Sequence, residues 1–164
     1  MFYENAIPIQ KCKQYAQMIE TIQTNISEYR KLINNRFHLP ELSTQLHIFL
    51  MKYKINLPPY KKIHPLFYFN RYAKNQDMYI HQDHFRKYED NLVTKYTLVL
   101  YLNDDFAGGE TVIYDTDGRT VKKIIKPKQG SILIFPIDQY HSVKKIKNNS
   151  IKYVLITELL GYQS

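Results

Sequence analysis

The sequence predicts an α+β fold: a jelly-roll-like β core with N-terminal helices packed on one outer face. Two observations carry this. Up to about residue 54, apolar residues recur at three- and four-residue steps. From Pro65 onward, short runs rich in β-branched and aromatic residues alternate with turn residues. With 164 residues, one domain is the simplest reading: residues 1–56 as helical support and 66–160 as the core.

The first helix is expected from Pro8 to about Asn34. Tyr15, Met18, Ile19, Ile22, Ile26, Tyr29 and Ile33 form its apolar stripe. Pro40-Glu41 suits a second helix start, and Leu42, Leu46, Phe49, Leu50 and Tyr53 continue that helix to about Lys54. Leu57-Pro58-Pro59 blocks further helix. Eight strands follow: 66–73, 78–81, 95–102, 110–114, 120–125, 131–135, 140–145 and 150–158. Lys74-Asn75-Gln76-Asp77, Gly108-Gly109, Asp117-Gly118, Gln129-Gly130 and Asn148-Asn149 supply turns between them. Leu98-Val99-Leu100 and Val154-Leu155-Ile156 are apolar without alternation, as expected where both faces of a strand are covered.

Composition narrows the function classes. With 44% hydrophobic and 23% charged residues, the chain reads as an ordinary soluble globular domain. One cysteine, Cys12, excludes a disulfide framework and a Cys-type zinc site, and fits a reducing compartment. Neither a signal peptide nor a membrane-spanning run is evident, so the expected location is cytoplasmic, with no membrane partner. The net charge of +8 leaves nucleic acid open as a partner. The lysines are scattered in short groups, however, and read first as solvated faces.

The stretch MYIHQDHF places His81 and Asp83 at i and i+2, on one side of an extended segment. Two ligands from one strand need that spacing, and a 2-His-1-carboxylate iron site needs one more histidine. His-x-Asp recurs by chance, and alone it reads first as a polar strand end. His141 is the distal candidate, starting a later strand. His38 and His47 fall in or beside the helical half, His64 precedes a proline, and His84 would point away from Asp83. A lone His141 would read as a hydrogen-bonded strand histidine. Lys152 adds weight. If residues 142–145 pair with 150–154 as a hairpin, Lys152 becomes the diagonal neighbour of His141, within reach of a dicarboxylate on the metal. Its alternative is an edge-strand lysine facing solvent.

Four ordered segments then resemble one family. NRYAKNQDMYIHQDHF carries Arg-Tyr, a turn and His-x-Asp; YTLVLYLNDDFAGGETVIYD carries Tyr-Leu-Asn and Gly-Gly-Glu-Thr. VKKIIKPKQGSILIFP carries a Pro-x-x-Gly turn, and YHSVKKIKNNSIKYVL carries the distal His with a basic residue about ten positions on. Together they resemble the catalytic core of 2-oxoglutarate/Fe(II)-dependent dioxygenases of the prolyl 4-hydroxylase type. Asn75-Gln76 and Asn148-Asn149-Ser150 stand at turns where that family often has glycine.

The resemblance implies a double-stranded β-helix core and Fe(II) bound by His81, Asp83 and His141. It also implies 2-oxoglutarate held by Lys152, Tyr101 and Tyr72, with O2 as oxidant and ascorbate as reductant. For the two tyrosines, core packing with a satisfied hydroxyl is the alternative. The implied reaction hydroxylates a C–H bond, foremost of a prolyl residue in a peptide or protein, releasing succinate and CO2. The alternatives are a lysyl substrate, oxidative demethylation of nucleic acid, and a non-catalytic β-sandwich binding anionic partners. Residues 84–94 are expected to form either a mobile lid over substrate, with Arg86 and Lys87 contacting it, or a plain solvated loop. Thr97 is expected to line the barrel without a site role.

Overall fold

Pro8 starts the first helix, its carbonyl accepting from the Lys11 and Cys12 amides. Helix α1 spans Ile9–Asn25, and α2 spans Pro40–Met51 with its proline in the first turn. The computed structural model describes residues 1–25, 35–53 and 59–163. The expected continuations of α1 to Asn34 and α2 to Lys54 therefore lie outside the described residues. On α1 the buried stripe runs through Cys12, Tyr15, Ala16, Ile19 and Ile22. Met18, expected in the stripe, is exposed. From Ile19 one step of seven back reaches Cys12, so the cysteine occupies the core side of the helix.

The described strands are β1 (Phe2–Tyr3), β2 (Arg36–His38), β3 (Lys62–Ile63), β4 (Leu66–Tyr72), β5 (Met78–His81), β6 (Leu92–Tyr101), β7 (Thr111–Tyr114), β8 (Val121–Ile125), β9 (Ile132–Pro136), β10 (His141–Val143) and β11 (Lys152–Tyr162). All eight expected strands are present, Met78–His81 with the expected ends and the other seven with shifted ends. The short strands β1, β2 and β3 are additions that the pattern did not signal, since two or three residues carry too little periodicity. One sheet runs β1-β9-β6-β11-β4-β2 with β3 also on β11, and the other runs β5-β10-β7-β8.

Alternation sorts each strand between two cores. Phe67, Phe69, Leu98, Leu100 and Leu155 pack outward on Cys12, Ile19, Leu42, Leu46 and Leu50 of the helices. Their neighbours Tyr72, Val99, Tyr101 and Val154 point inward, meeting Ile113 and Ile125 of the smaller sheet. Both faces of β6 and β11 are thus covered, as their unbroken apolar runs predict. Asn75, in the turn before β5, sits at φ 68°, a left-handed conformation that Asn tolerates better than most residues.

The proposed hairpin between residues 142–145 and 150–154 does not form. β10 pairs with β5 and β7, whereas β11 pairs with β3, β4 and β6, so the two lie in opposite sheets. Lys152 faces Tyr72 across β4, and Val154 faces both Asn70 on β4 and Tyr101 on β6. The chain between them crosses the barrel rather than turning back. Ile146, buried in the inner core, bridges to Gly108 and anchors that crossing.

Candidate active site

β5 and β10 pair antiparallel with His81 directly opposite His141, and their rings lie 4.2 Å apart at the centroids. Each ring is held the same way. His81 Nδ1 meets the Tyr79 carbonyl at 2.8 Å and His141 Nδ1 meets the Gln139 carbonyl at 2.9 Å. A carbonyl only accepts, so both Nδ1 atoms donate and both Nε2 atoms keep a free lone pair in the neutral ring. Asp83 Oδ1 lies 3.6 Å from His81 Nε2 and 3.8 Å from His141 Nε2. Gln82, between the two ligand candidates, donates its side-chain amide to the Asp138 carbonyl, tying this segment to the turn before His141.

The protonation tendencies follow these contacts. The bond to Asp83 raises His81 against the opposing effect of burial. Burial lowers the deeper His141, and Asp83 opposes that shift. For Asp83, burial pushes the carboxyl upward, but His81, His141 and Thr97 together hold it below its usual range. A carboxylate and two imidazole lone pairs within 4.8 Å of one another are a donor set for a divalent cation. Such an ion sits about 2.0–2.2 Å from each ligand atom, so an ion between Asp83 and either imidazole spans the observed gap.

Lys152 lies on β11, 1% exposed, with its Nζ donating to the Gly109 carbonyl at 2.7 Å. The rings of Tyr72 and Tyr101 lie 5.3 and 5.5 Å from that nitrogen. The solvent-facing alternative for Lys152 is thereby removed: β11 is an interior strand of its sheet. No carboxylate among the described residues forms an ion pair with Lys152. Burial pushes its ammonium down to about 7, against the opposing pull of Glu110. An ammonium so buried needs an anion. The hydroxyls beside it are set: Tyr101 shares a 2.8 Å bond with Thr111, and Tyr72 accepts from Asn70 at 3.1 Å. With its oxygen accepting from Asn70, Tyr72 keeps its own proton to donate.

The loop after Asp83 differs from expectation. Glu158 on β11 accepts from Arg86 at 2.8 Å, Tyr88 at 2.5 Å and Thr94 at 3.0 Å, which straps residues 86–94 to the sheet. His84 is exposed. Arg86 is engaged with Glu158 and the Tyr68 hydroxyl, so the expected free lid is instead a pinned loop. Glu158→Gln keeps the shape but removes the charge, and should cost about 1–3 kcal/mol. Urea unfolding would show this, together with faster proteolysis between residues 84 and 94. Beside Asp83 and Thr97, a cavity of about 200 Å³ opens between Tyr68, Asn70, Arg86 and Glu158. A larger groove of about 600 Å³, walled by Ile113, Leu133 and Phe135, contains none of the three ligand candidates.

The sequence profile of the 2OG-Fe(II) oxygenase superfamily matches residues 67–157, more than half of the chain. The chain belongs to this superfamily. The superfamily is the one described by its use of 2-oxoglutarate and Fe(II). Over 53 residues, 31% of the chain, it is 42% identical to Prolyl 3-hydroxylase 2 of Rattus norvegicus and of Homo sapiens. That match spans 8% of the length of those relatives. In fold, the oxygenase is similar to the viral collagen prolyl hydroxylase of Paramecium Bursaria Chlorella virus-1, solved with 2OG. The TM-score is 0.66 at 18% identity, covering 99% of this chain and 96% of that one. A Pseudomonas putida prolyl-4-hydroxylase gives 0.66 at 14% identity, covering 98% and 84%. A Trichoplax adhaerens prolyl hydroxylase, solved with a hypoxia inducible factor peptide, gives 0.64 at 16% identity, covering 97% and 82%. The double-stranded β-helix expected of the oxygenase is thus its observed fold.

The structure brings together His81, Asp83 and His141 at one point, and Lys152, Tyr72 and Tyr101 at another along the same inner wall. Sequence reasoning passed over Asn70, Thr111, Glu158 and the contact made by Thr97. Parity was the available signal: Thr97 shares the inward row of β6 with Val99 and Tyr101, and Asn70 shares that of β4 with Tyr72.

Proposed function

We propose that this oxygenase is a prolyl hydroxylase acting on a peptide or protein, with the whole chain working as one domain. The observation that carries the reading is a buried ammonium, Lys152, that has no carboxylate ion-pair partner among the described residues, in the same barrel as the donor set of His81, Asp83 and His141. Those three residues hold Fe(II). Lys152, with Tyr101 and Tyr72, takes the far carboxylate of 2-oxoglutarate. Fe(II) with 2-oxoglutarate and O2 supplies C–H hydroxylation, with succinate and CO2 as co-products.

The chain's own residues do the rest. The Tyr79 and Gln139 carbonyls fix the tautomers of both histidines. Burial around Lys152 keeps water from competing for the carboxylate. The cavity between Asp83, Tyr68, Asn70 and Glu158 has the room of roughly one side chain, taking a liquid water as about 30 Å³. That suits a residue presented by a peptide. The names of the similar proteins, a prolyl 3-hydroxylase and three prolyl hydroxylases, support proline as that residue. A reducing, cytoplasmic setting with ascorbate as reductant belongs to the same reading, supported by the free, buried thiol of Cys12.

Succinate release from 2-oxoglutarate, with Fe(II) and ascorbate, is the test. Proline-containing peptides should stimulate it and emerge 16 Da heavier on proline, whereas lysine peptides and single-stranded DNA should not. Stimulation by either of the latter alone would replace the prolyl reading.

A further inference from the structure

Asp83 lies two residues past the end of β5, in a segment with no strand pairing of its own. Its backbone therefore does not fix its carboxylate. Thr97 does the opposite: it sits inside β6, paired with Glu158 on one side and Phe135 on the other, and is 3% exposed. Its Oγ1 lies 2.5 Å from Asp83 Oδ2. The carboxylate is ionised beside two imidazoles, so the threonine hydroxyl is the donor. The other oxygen, Oδ1, faces both histidine Nε2 atoms.

We propose that Thr97 is the positioning residue for the iron carboxylate: its hydroxyl ties up Oδ2 and presents Oδ1 alone to the metal. This rests on the assignment of His81, Asp83 and His141 as the Fe(II) ligands. A carboxylate can bind a cation through one oxygen or both. A second oxygen on the metal would occupy one of the positions that cosubstrate and O2 need. A β-branched side chain has few χ1 choices in a strand, so the donor is aimed before any metal arrives. Thr97 also borders the cavity of about 200 Å³, on the same side as Asp83, which places the clamp at the wall between metal and substrate.

The experiment titrates Co(II) into the metal-free protein by calorimetry, for the wild type, Thr97→Val, Thr97→Ser and Thr97→Ala, with thermal unfolding of each metal-free form. Thr97→Val keeps the shape and removes the donor, and its affinity for Co(II) should fall about 10–100-fold. Thr97→Ser should stay within about threefold of wild type, since it keeps the hydroxyl. If Thr97→Val fails to fold, the Ser/Ala pair, which differs only in that hydroxyl, reads the same effect. Equal Co(II) affinity for Thr97→Val and wild type overturns the proposal, as does Thr97→Ser binding as weakly as Thr97→Ala. A wild type that binds no Co(II) overturns the ligand assignment itself, and so separates the two failures.

Discussion

His141→Ala should reduce Fe(II)-dependent succinate formation at least about a thousandfold, with or without peptide. The change deletes one imidazole of the donor set and leaves a carboxylate and one histidine. Transition-state stabilisation by a bound metal is worth several kcal/mol, and each 1.36 kcal/mol is a factor of ten. The ring is also packed, 7% exposed and 4.6 Å from the Phe135 ring at the centroids, so its loss costs stability of about 1–3 kcal/mol. The two effects separate experimentally. Circular dichroism should show a folded variant with a lower melting temperature, while Co(II) binding and turnover disappear together. A folded variant that still turns over 2-oxoglutarate would remove His141 from the site.

Lys152→Met should act on the cosubstrate alone. Truncating one member of a buried charge pair costs about 2–5 kcal/mol, which corresponds to a rise in KM for 2-oxoglutarate of about 30-fold to several thousandfold. The empty protein should be as stable as wild type or more so, because an apolar chain replaces an ammonium that lacks a carboxylate partner.

The same lysine sets a pH dependence. Burial lowers its folded-state value from 10.5 to about 7. Between those values the unfolded chain carries a proton that the folded chain lacks, so stability rises with pH across the window. Below about pH 7 the cost of the buried charge is fully present. Cosubstrate binding has the opposite slope. On the proposed assignment it needs the ammonium, so above about pH 7 it should take up a proton and weaken by up to tenfold per pH unit. Both slopes should vanish in Lys152→Met, measured by urea unfolding and by 2-oxoglutarate titration. An unchanged KM would mean that another residue anchors the carboxylate.

Much of this was legible in the chain. The three ligand candidates could be found because His81-x-Asp83 obeys the two-residue period of a strand, and because the other histidines fall in unsuitable places. The reason that singled out Lys152 was partly wrong. The expected hairpin would have put it beside His141 within one sheet, whereas the two stand in opposite sheets. Local turn chemistry at Asn148-Asn149 looks the same whether the chain reverses on itself or crosses between layers. Which of these happens is decided by the inner-core burial of Ile146, Val154 and Tyr101, a long-range preference with no local signature. The loop of residues 84–94 shows the same limit. Its polarity reads as solvated, but Arg86, Tyr88 and Thr94 converge on one carboxylate more than sixty residues later. Thr97 and Asn70 could have been picked out by parity, but their partners could not.

The division of the site between two sheets has a mechanical consequence. The three ligand candidates stand in or beside the four-stranded sheet, and Lys152 stands in the seven-stranded one. Near the site, side-chain hydrogen bonds join the layers, among them Thr97 to Asp83, Tyr101 with Thr111, and Lys152 to Gly109. A cosubstrate gripped by the metal at one end and by Lys152 at the other is a clasp across that seam. Binding free energy gained only by the closed arrangement becomes resistance to opening. If Lys152 and the donor set hold the cosubstrate as proposed, the loaded enzyme should breathe less at β5 and β10 than the empty one, and slow amide exchange there becomes a gauge of how tightly the clasp is shut.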